Sequence, residues 1–196
     1  VGRKRTGQAS RASRFETIFN ATHPRVLAYV LRRAEDPDSA EEAVSETFLI
    51  AWRRLDVVPA EQPLPWLLGT ARKVLANQRR AARRRSPDGP HTDLSSVDVR
   101  DPGTPISEGL AEREAFAAAF AALGDRDREA LSLIAWDGLR VREAAAVAGC
   151  TAAAFSIRLH RARRRLLKEL EASGHSLGER SMQPPLTERP GTTEAP

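Results

Sequence analysis

The sequence predicts an all-α protein of two small helical domains joined by a flexible linker. Three observations predict it. Apolar residues recur at spacings of three and four within 15–85 and again within 108–172. No stretch of any length alternates with the two-residue period of a strand. A segment with four prolines and two glycines, 86–107, separates the two helical stretches.

The elements follow in order. Residues 1–14 carry Arg3, Lys4, Arg5, Arg11 and Arg14 and no acid, without periodicity, and read as a basic flexible arm. The first domain spans 15–85. Phe15, Ile18, Phe19 and Thr22 begin a helical face, Pro24 interrupts it and can open a new helix, and Val26, Leu27, Val30 and Leu31 continue it. Glu35 to Ser39 is a turn in which Asp38 or Ser39 caps the next helix. That helix carries the stripe Val44, Phe48, Ala51 and Leu55, with Trp52 beside it. Pro59, Pro63 and Pro65 make 57–65 a loop. Trp66, Leu67, Thr70, Ala71, Val74 and Leu75 form a further helical face, which runs into five arginines between positions 79 and 85 that end the packed unit. The linker 86–107 reaches roughly 75 Å when fully extended, at about 3.5 Å per residue. The second domain, 108–172, opens with a helix marked by Leu110, Phe116, Phe120 and Leu123, stopped at Gly124-Asp125. Ala130, Leu131, Ile134 and Ala135 mark the next, and Asp137-Gly138 is a turn. The segment 173–196, rich in Pro, Gly, Ser and Thr, reads as a disordered tail.

Composition narrows the function. The net charge of +5 equals the excess carried by the first fourteen residues, so segregation of charge along the chain is more informative than its sum. No run of 18 apolar residues exists to span a membrane, and no apolar secretory segment follows the basic N-terminus, so a cytoplasmic protein with no membrane contact of its own is expected. The single cysteine, Cys150, excludes an intramolecular disulfide, and His23, His91, His160 and His175 lie too far apart to suggest a metal site. No nucleophile elbow, phosphate loop or HExxH motif is present. The expectation is a protein without catalytic residues, metal or cofactor, and not an enzyme.

The strongest local signal lies at 139–170. Val141, Ala144, Ala145 and Ala148 mark a short helix; Gly149 supplies the freedom a sharp turn requires, and Thr151 can cap the following helix. That helix buries Phe155, Leu159, Ala162, Leu166 and Leu170 and leaves a polar, strongly cationic remainder. A helix-turn-helix requires this arrangement, with a first helix that braces and a second that enters the major groove of DNA.

The two halves together resemble bacterial sigma factors of the extracytoplasmic-function class, in the sigma-70 family. In the first half the resemblance rests on Pro24-Arg-Val-Leu-Ala-Tyr29, on the stretch Ser39-Ala-Glu-Glu-Ala-Val-Ser-Glu-Thr-Phe-Leu-Ile-Ala-Trp-Arg53, and on Pro65-Trp-Leu-Leu-Gly-Thr-Ala-Arg72. In the second it rests on Leu123-Gly-Asp-Arg-Asp-Arg-Glu-Ala-Leu131, Asp137-Gly138 and Arg158-Leu-His-Arg-Ala-Arg163. The resemblance implies a region 2 helical bundle over 15–85 and a region 4 helix-turn-helix over 108–172. The implied partners are core RNA polymerase, through the β′ clamp helices and the β subunit, promoter DNA, and an anti-sigma factor. Glu41, Glu42, Glu46, Phe48, Trp52 and Arg53 match the polymerase-binding motif, with Phe48 and Trp52 also suited to the core. The acidic stretch 35–46, six acids and no base, suits a basic partner surface.

By the same resemblance, the loop 57–64 receives a base flipped from the −10 non-template strand. Trp66, Arg72, Lys73, Asn77 and Arg80 are candidates for contacts to that strand, with Lys73 standing where the family often has Asn. Trapping an unpaired base offsets an unstacking cost of a few kcal/mol without catalytic chemistry. In region 4, Ala153, Ser156, Ile157, His160 and Arg161 match positions that face the bases of the −35 duplex. Arg158, Arg163 and Arg164 match positions suited to phosphates or packing. Arg140, Ala144 and Ala148 replace residues that are usually Ser, Ile and Leu, so the brace helix has less apolar area to bury. The alternative is a helix-turn-helix regulator that acts without polymerase; nothing within 15–85 suggests the ligand pocket it would use.

Overall fold

The computed structural model describes residues 2–85 and 110–172, with side chains from 10 to 85 and from 112 to 172. The described residues form helices and turns, without strands, as expected. Helices α1 (Gly2–Leu31), α2 (Pro37–Arg53) and α3 (Pro63–Arg85) pack on one another as a first module. Helices α4 (Leu110–Ala121), α5 (Asp125–Ala135), α6 (Val141–Ala148) and α7 (Ala152–Ala172) form a second, with α7 against the other three. The linker expected at 86–107 and the tail expected at 173–196 lie outside the described residues.

The N-terminus departs from expectation. In place of a flexible arm over 1–14, α1 is helical from Gly2. Two of its basic residues have partners remote in sequence. Arg11 donates to the Trp52 carbonyl at 2.6 Å and lies over the Trp52 ring, 5.4 Å from its centroid. Arg14 donates to the Val58 carbonyl at 2.7 Å. Carbonyls at the end of a helix lack intrahelical donors, and here guanidinium groups supply them. Pro24 does not interrupt either; it lies inside α1. Its missing N–H leaves one helix bond unmade, and the buried face Ile18, Thr22, Val26, Tyr29 and Val30 carries the helix past it.

Asp36, rather than Asp38 or Ser39, caps α2. Its carboxylate accepts from the Ser39 hydroxyl at 2.6 Å and the Ser39 backbone N–H at 2.8 Å, and these bonds hold its pKa below the ordinary carboxylate value. Pro37 then occupies the first turn, where a missing N–H costs nothing. The stripe Val44, Phe48, Ala51 and Leu55 is buried as the spacing predicts. A 3-10 turn (Leu55–Val57) follows. The loop is shorter than expected, because Pro63 and Pro65 start α3 instead of preventing it. Among the arginines that close α3, Arg79 is half-buried and donates to the Arg33 carbonyl, so the packed unit does not end before it.

In the second module the corner between α4 and α5 is tied by Arg128, 5% exposed, which donates to the carbonyls of Ala121 (2.7 Å) and Leu123 and to the Asp125 carboxylate. Gly149 closes α6 with φ of 69°, a left-handed conformation that favours glycine. Thr151 caps α7: its Oγ1 accepts from the Ala154 N–H at 3.2 Å. Phe155, Leu159, Ala162 and Leu170 are buried and Leu166 partly so, along the predicted stripe. Thr151→Ala should therefore lower unfolding stability by about 1 kcal/mol. Urea denaturation followed by circular dichroism measures this, and an unchanged midpoint would refute the cap.

Candidate nucleic-acid interface

Helix α7 sorts its side chains by the 3.6-residue period. Opposite the buried stripe stand Ala153, Ser156, Ile157, His160, Arg161 and Arg164, all exposed, with Arg163 exposed at the flank. Arg158 is the exception among the predicted contacts. It is half-buried, and its guanidinium lies 4.0 Å from the Cys150 sulfur. Ile157 is 55% exposed on this otherwise polar surface. An apolar side chain there suits a thymine methyl, which displays itself only in the major groove. Sequence reasoning missed the setting of Arg165: the Asp127 carboxylate, 9% exposed, reaches from α5 and accepts from it. That ion pair fixes one guanidinium beside Arg161 on the rim of the helix.

The first module presents two surfaces. On α2, Glu41, Glu42, Glu46 and Arg53 are exposed, and Glu42 accepts from Gln78 at 3.2 Å. Phe48 corrects the expectation. It is 5% exposed and sits in a ring cluster, 4.7 Å from Phe19, so it supports the surface from beneath and does not belong to it. Trp52 is half-buried, edge-on to Phe15 at 5.2 Å. Leu49, 46% exposed, was missed; it stands three residues after Glu46 and four before Arg53, the spacing that puts all three on one face.

On α3, Lys73, Asn77 and Arg80 are exposed and Trp66 half-exposed. Arg80 donates to the Asn77 side-chain oxygen at 3.0 Å. Trp66, Lys73 and Asn77 line a cleft of about 1030 Å³ together with Glu46 and Arg53 of α2. The opposite wall is α6 of the second module, through Arg142, Glu143, Ala146 and Val147. Arg72 turns toward Glu129 of α5, Nε to Oε1 at 2.5 Å and Nη2 to Oε2 at 3.2 Å, so its charge is already paired.

A further cluster escaped the sequence. Arg25 donates to the Asp137 carbonyl, and Arg32 and Arg33 to the Asp137 carboxylate, the latter at 3.4 Å. Asp137 is 5% exposed. Burial pushes its carboxyl upward while Arg33 and Arg32 pull it down, and burial lowers Arg32 in turn. Tyr29 lies beneath, fully buried, with the Arg33 guanidinium 3.8 Å from its ring centroid. Burial pushes its hydroxyl up to about 12, so it stays protonated at neutral pH. Asp137 has the appearance of an ordinary turn acid, and its partners lie more than 100 residues away, so no local pattern could reveal them.

Comparison with known proteins decides the family. Residues 18–85 match the model of Sigma-70 region 2, and residues 113–166 that of Sigma-70, region 4. The ECF RNA polymerase sigma factor SigF of Caulobacter vibrioides is 31% identical over 150 residues, 74% of this chain and 79% of that one. The chain belongs to the sigma-70 family, as a sigma factor of the ECF class. The ECF RNA polymerase sigma factor EcfG of Rhodopseudomonas palustris is 29% identical over 155 residues, 79% of this chain and 83% of that one. The probable RNA polymerase sigma factor RfaY of Xanthomonas campestris pv. campestris is 33% identical over 159 residues, 78% of this chain, which spans only 39% of RfaY. Among solved structures, the sigma factor RpoE of Bartonella quintana, in complex with the anti-sigma factor NepR, superposes with a TM-score of 0.59. It covers 80% of this chain and 96% of RpoE, at 27% identity. CnrH, in complex with the cytosolic domain of CnrY, shares the fold with a TM-score of 0.54, covering 81% of this chain and 88% of CnrH at 24% identity. The α1–α3 module is therefore region 2 of a sigma factor and the α4–α7 module its region 4. No described helix is long and apolar enough to cross a membrane.

Proposed function

We propose that this sigma factor directs core RNA polymerase to specific promoters, reads the −35 element with α7 and opens the −10 element along α3. One observation carries the reading. Both modules occur in family order, and each presents an exposed face of the required chemistry: acids with one apolar residue on α2, a row of polar and cationic residues on α3, and a cationic recognition face on α7. Glu41, Glu42, Glu46, Leu49 and Arg53 meet the polymerase, with Trp52 at the edge of that surface. Opposite charge speeds encounter, and Leu49 supplies apolar area at the centre of the patch. Trp66, Lys73, Asn77 and Arg80 meet the separated strand, the tryptophan by stacking and the cations through phosphates. Arg72 joins them once it leaves Glu129.

In region 4, Ala153, Ser156, Ile157, His160 and Arg161 face base edges. Arg163 and Arg164 hold phosphates, which fixes register without reading sequence. The protein works as an initiation factor without catalytic residues, and it acts where the polymerase is, in the cytoplasm. The likeness to a sigma factor held by its anti-sigma factor supports a protein inhibitor as a further partner. A regulator independent of polymerase would leave the acidic α2 surface without purpose.

Co-purification with core polymerase and run-off transcription from a matching promoter test the reading; a chain that binds duplex DNA but never the core enzyme would refute it. Within region 4, Arg161→Ala should flatten the preference for one −35 sequence, at about 1–3 kcal/mol per lost base contact. Arg164→Ala should weaken all sequences evenly and reduce the salt dependence. Identical sequence profiles for the two variants would overturn the assignment.

A further inference from the structure

Helix α1 begins upstream of the residues that match region 2, and its N-terminal half carries two side chains with one target. Arg11 and Arg14 stand three residues apart, so both lie on one face of the helix. Together they reach three carbonyls of the chain that leaves α2. Arg11 Nη2 donates to the Trp52 carbonyl at 2.6 Å and to that of Arg53 at 3.5 Å, and its Nη1 to the Asp56 carboxylate at 3.4 Å. Arg14 Nη2 donates to the Val58 carbonyl at 2.7 Å, where the 3-10 turn gives way to extended backbone. The Asp56 side chain is 85% exposed, so that ion pair is weak. The bonds to the Trp52 and Val58 carbonyls are partly buried and charge-assisted, and they carry the brace.

The arginines hold a loop that joins two working surfaces. Arg53, on the face proposed for the polymerase, is the last residue of α2, while Pro59 and Gln62 of the loop line the same cleft as Trp66 and Lys73. The backbone bonds from Val57 to Arg54 and from Val58 to Leu55 close only the 3-10 turn. Leu55 and Val58 are buried and anchor the loop to the core, whereas Val57, Pro59 and Gln62 are exposed. The core anchor keeps the module folded; the arginines fix the pose of what the loop displays.

We infer that Arg11 and Arg14 are positioning residues for promoter selectivity: they hold the 54–62 loop so that Val57, Pro59 and Gln62 meet an unpaired −10 base in one arrangement. The selectivity role rests on the function proposed above; the brace itself does not. Val57 and Pro59 offer apolar area to the face of a base. Gln62 offers an amide that both donates and accepts, which distinguishes one base edge from another. Discrimination requires these groups to be held still, because a loop that orders itself on binding loses affinity and tolerates wrong partners. Arginine suits position 11 better than lysine does. Its planar fork serves two carbonyls and a carboxylate at once, whereas an ammonium is a point charge on a flexible stem.

The test uses the full chain, free and as holoenzyme with core polymerase. In the free chain, Arg11→Ala with Arg14→Ala should speed hydrogen exchange of the Val57 and Val58 amides by about tenfold or more, the factor to which one lost hydrogen bond to a charged group converts. Helix content should stay unchanged. Unchanged exchange, or a loss of helix, would overturn the brace as a positioning device. In the holoenzyme, permanganate footprinting compares opening of a promoter the wild-type enzyme uses with versions carrying one substituted base in the −10 element. The double alanine variant should narrow the ratio between matched and substituted promoters by about threefold or more, as displaced contacts discriminate less. General destabilisation would lower both promoters alike, so an unchanged ratio would refute positioning. Arg11→Lys with Arg14→Lys keeps both charges and should narrow the ratio as well. Selectivity restored by lysine while the loop amides stay unprotected would make the two cations direct phosphate contacts and defeat the assignment. A wild-type holoenzyme that opens no promoter, in a chain whose loop amides respond as expected, would overturn the initiation-factor reading and the selectivity role with it, and leave the brace standing.

Discussion

Phe155→Ala should lower the stability of region 4 by about 3–5 kcal/mol. The ring is fully buried in the first turn of α7, the helix on which α4, α5 and α6 all pack. Its neighbours in that stripe are small or medium: Leu159, Ala162 and a partly buried Leu166. The brace helix α6 supplies only Ala144, Ala145 and Val147 as buried residues, so it has little volume to fill the cavity an alanine would leave. A unit of this size is marginally stable to begin with. The expected result in urea is a transition in which region 4 unfolds well before α1–α3, where the wild-type chain unfolds later. Far-UV circular dichroism reports the helix lost, and tryptophan fluorescence separates Trp136 from Trp52 and Trp66. Affinity for −35 duplex should fall with the folded fraction of region 4. A shift below about 1 kcal/mol would show that α7 is held by contacts other than this ring.

Trp66→Ala should have the largest effect on promoter opening. The indole is half-exposed in the first turns of α3 and lines the cleft with Lys73 and Asn77. Aromatic stacking on an unpaired base contributes about 1–3 kcal/mol, which converts to roughly five- to 150-fold in the opening equilibrium. Closed-complex affinity should change little, because duplex DNA offers no free base face to stack. Permanganate reactivity of −10 thymines measures opening, and gel mobility in the cold measures the closed complex. Equal losses in both would remove Trp66 from the strand and return it to a packing role.

How much of this was legible follows from where each interaction lies in the chain. The stripes of α2 and α7 are local, so periodicity placed Val44, Phe48, Ala51, Leu55, Phe155, Leu159 and Ala162 in the core. The cap on Thr151 and the turn at Gly149 are local too. What failed was long-range. The basic residues at the N-terminus have the composition of a solvated arm, and the partners that Arg11 and Arg14 bind, among them the carbonyls of Trp52 and Val58, lie over 40 residues away. Phe48 matches the polymerase motif by position, yet the ring cluster with Phe15, Phe19 and His23 takes it inward. The pairing of Arg72 with Glu129 was not foreseen either. Charge pairs across modules leave no spacing signature.

Arg11 and Arg14 act as a splint, binding the N-terminal half of α1 to the far end of α2 and the 3-10 turn after it. The match to the region 2 model begins at Ile18, downstream of both. Anyone excising a minimal region 2 at that border would discard the splint, bare two carbonyls and deprive Trp52 of its cation, and would then measure a weakened fragment. The smallest faithful piece of this domain starts before Arg11, outside the border that kinship alone would draw.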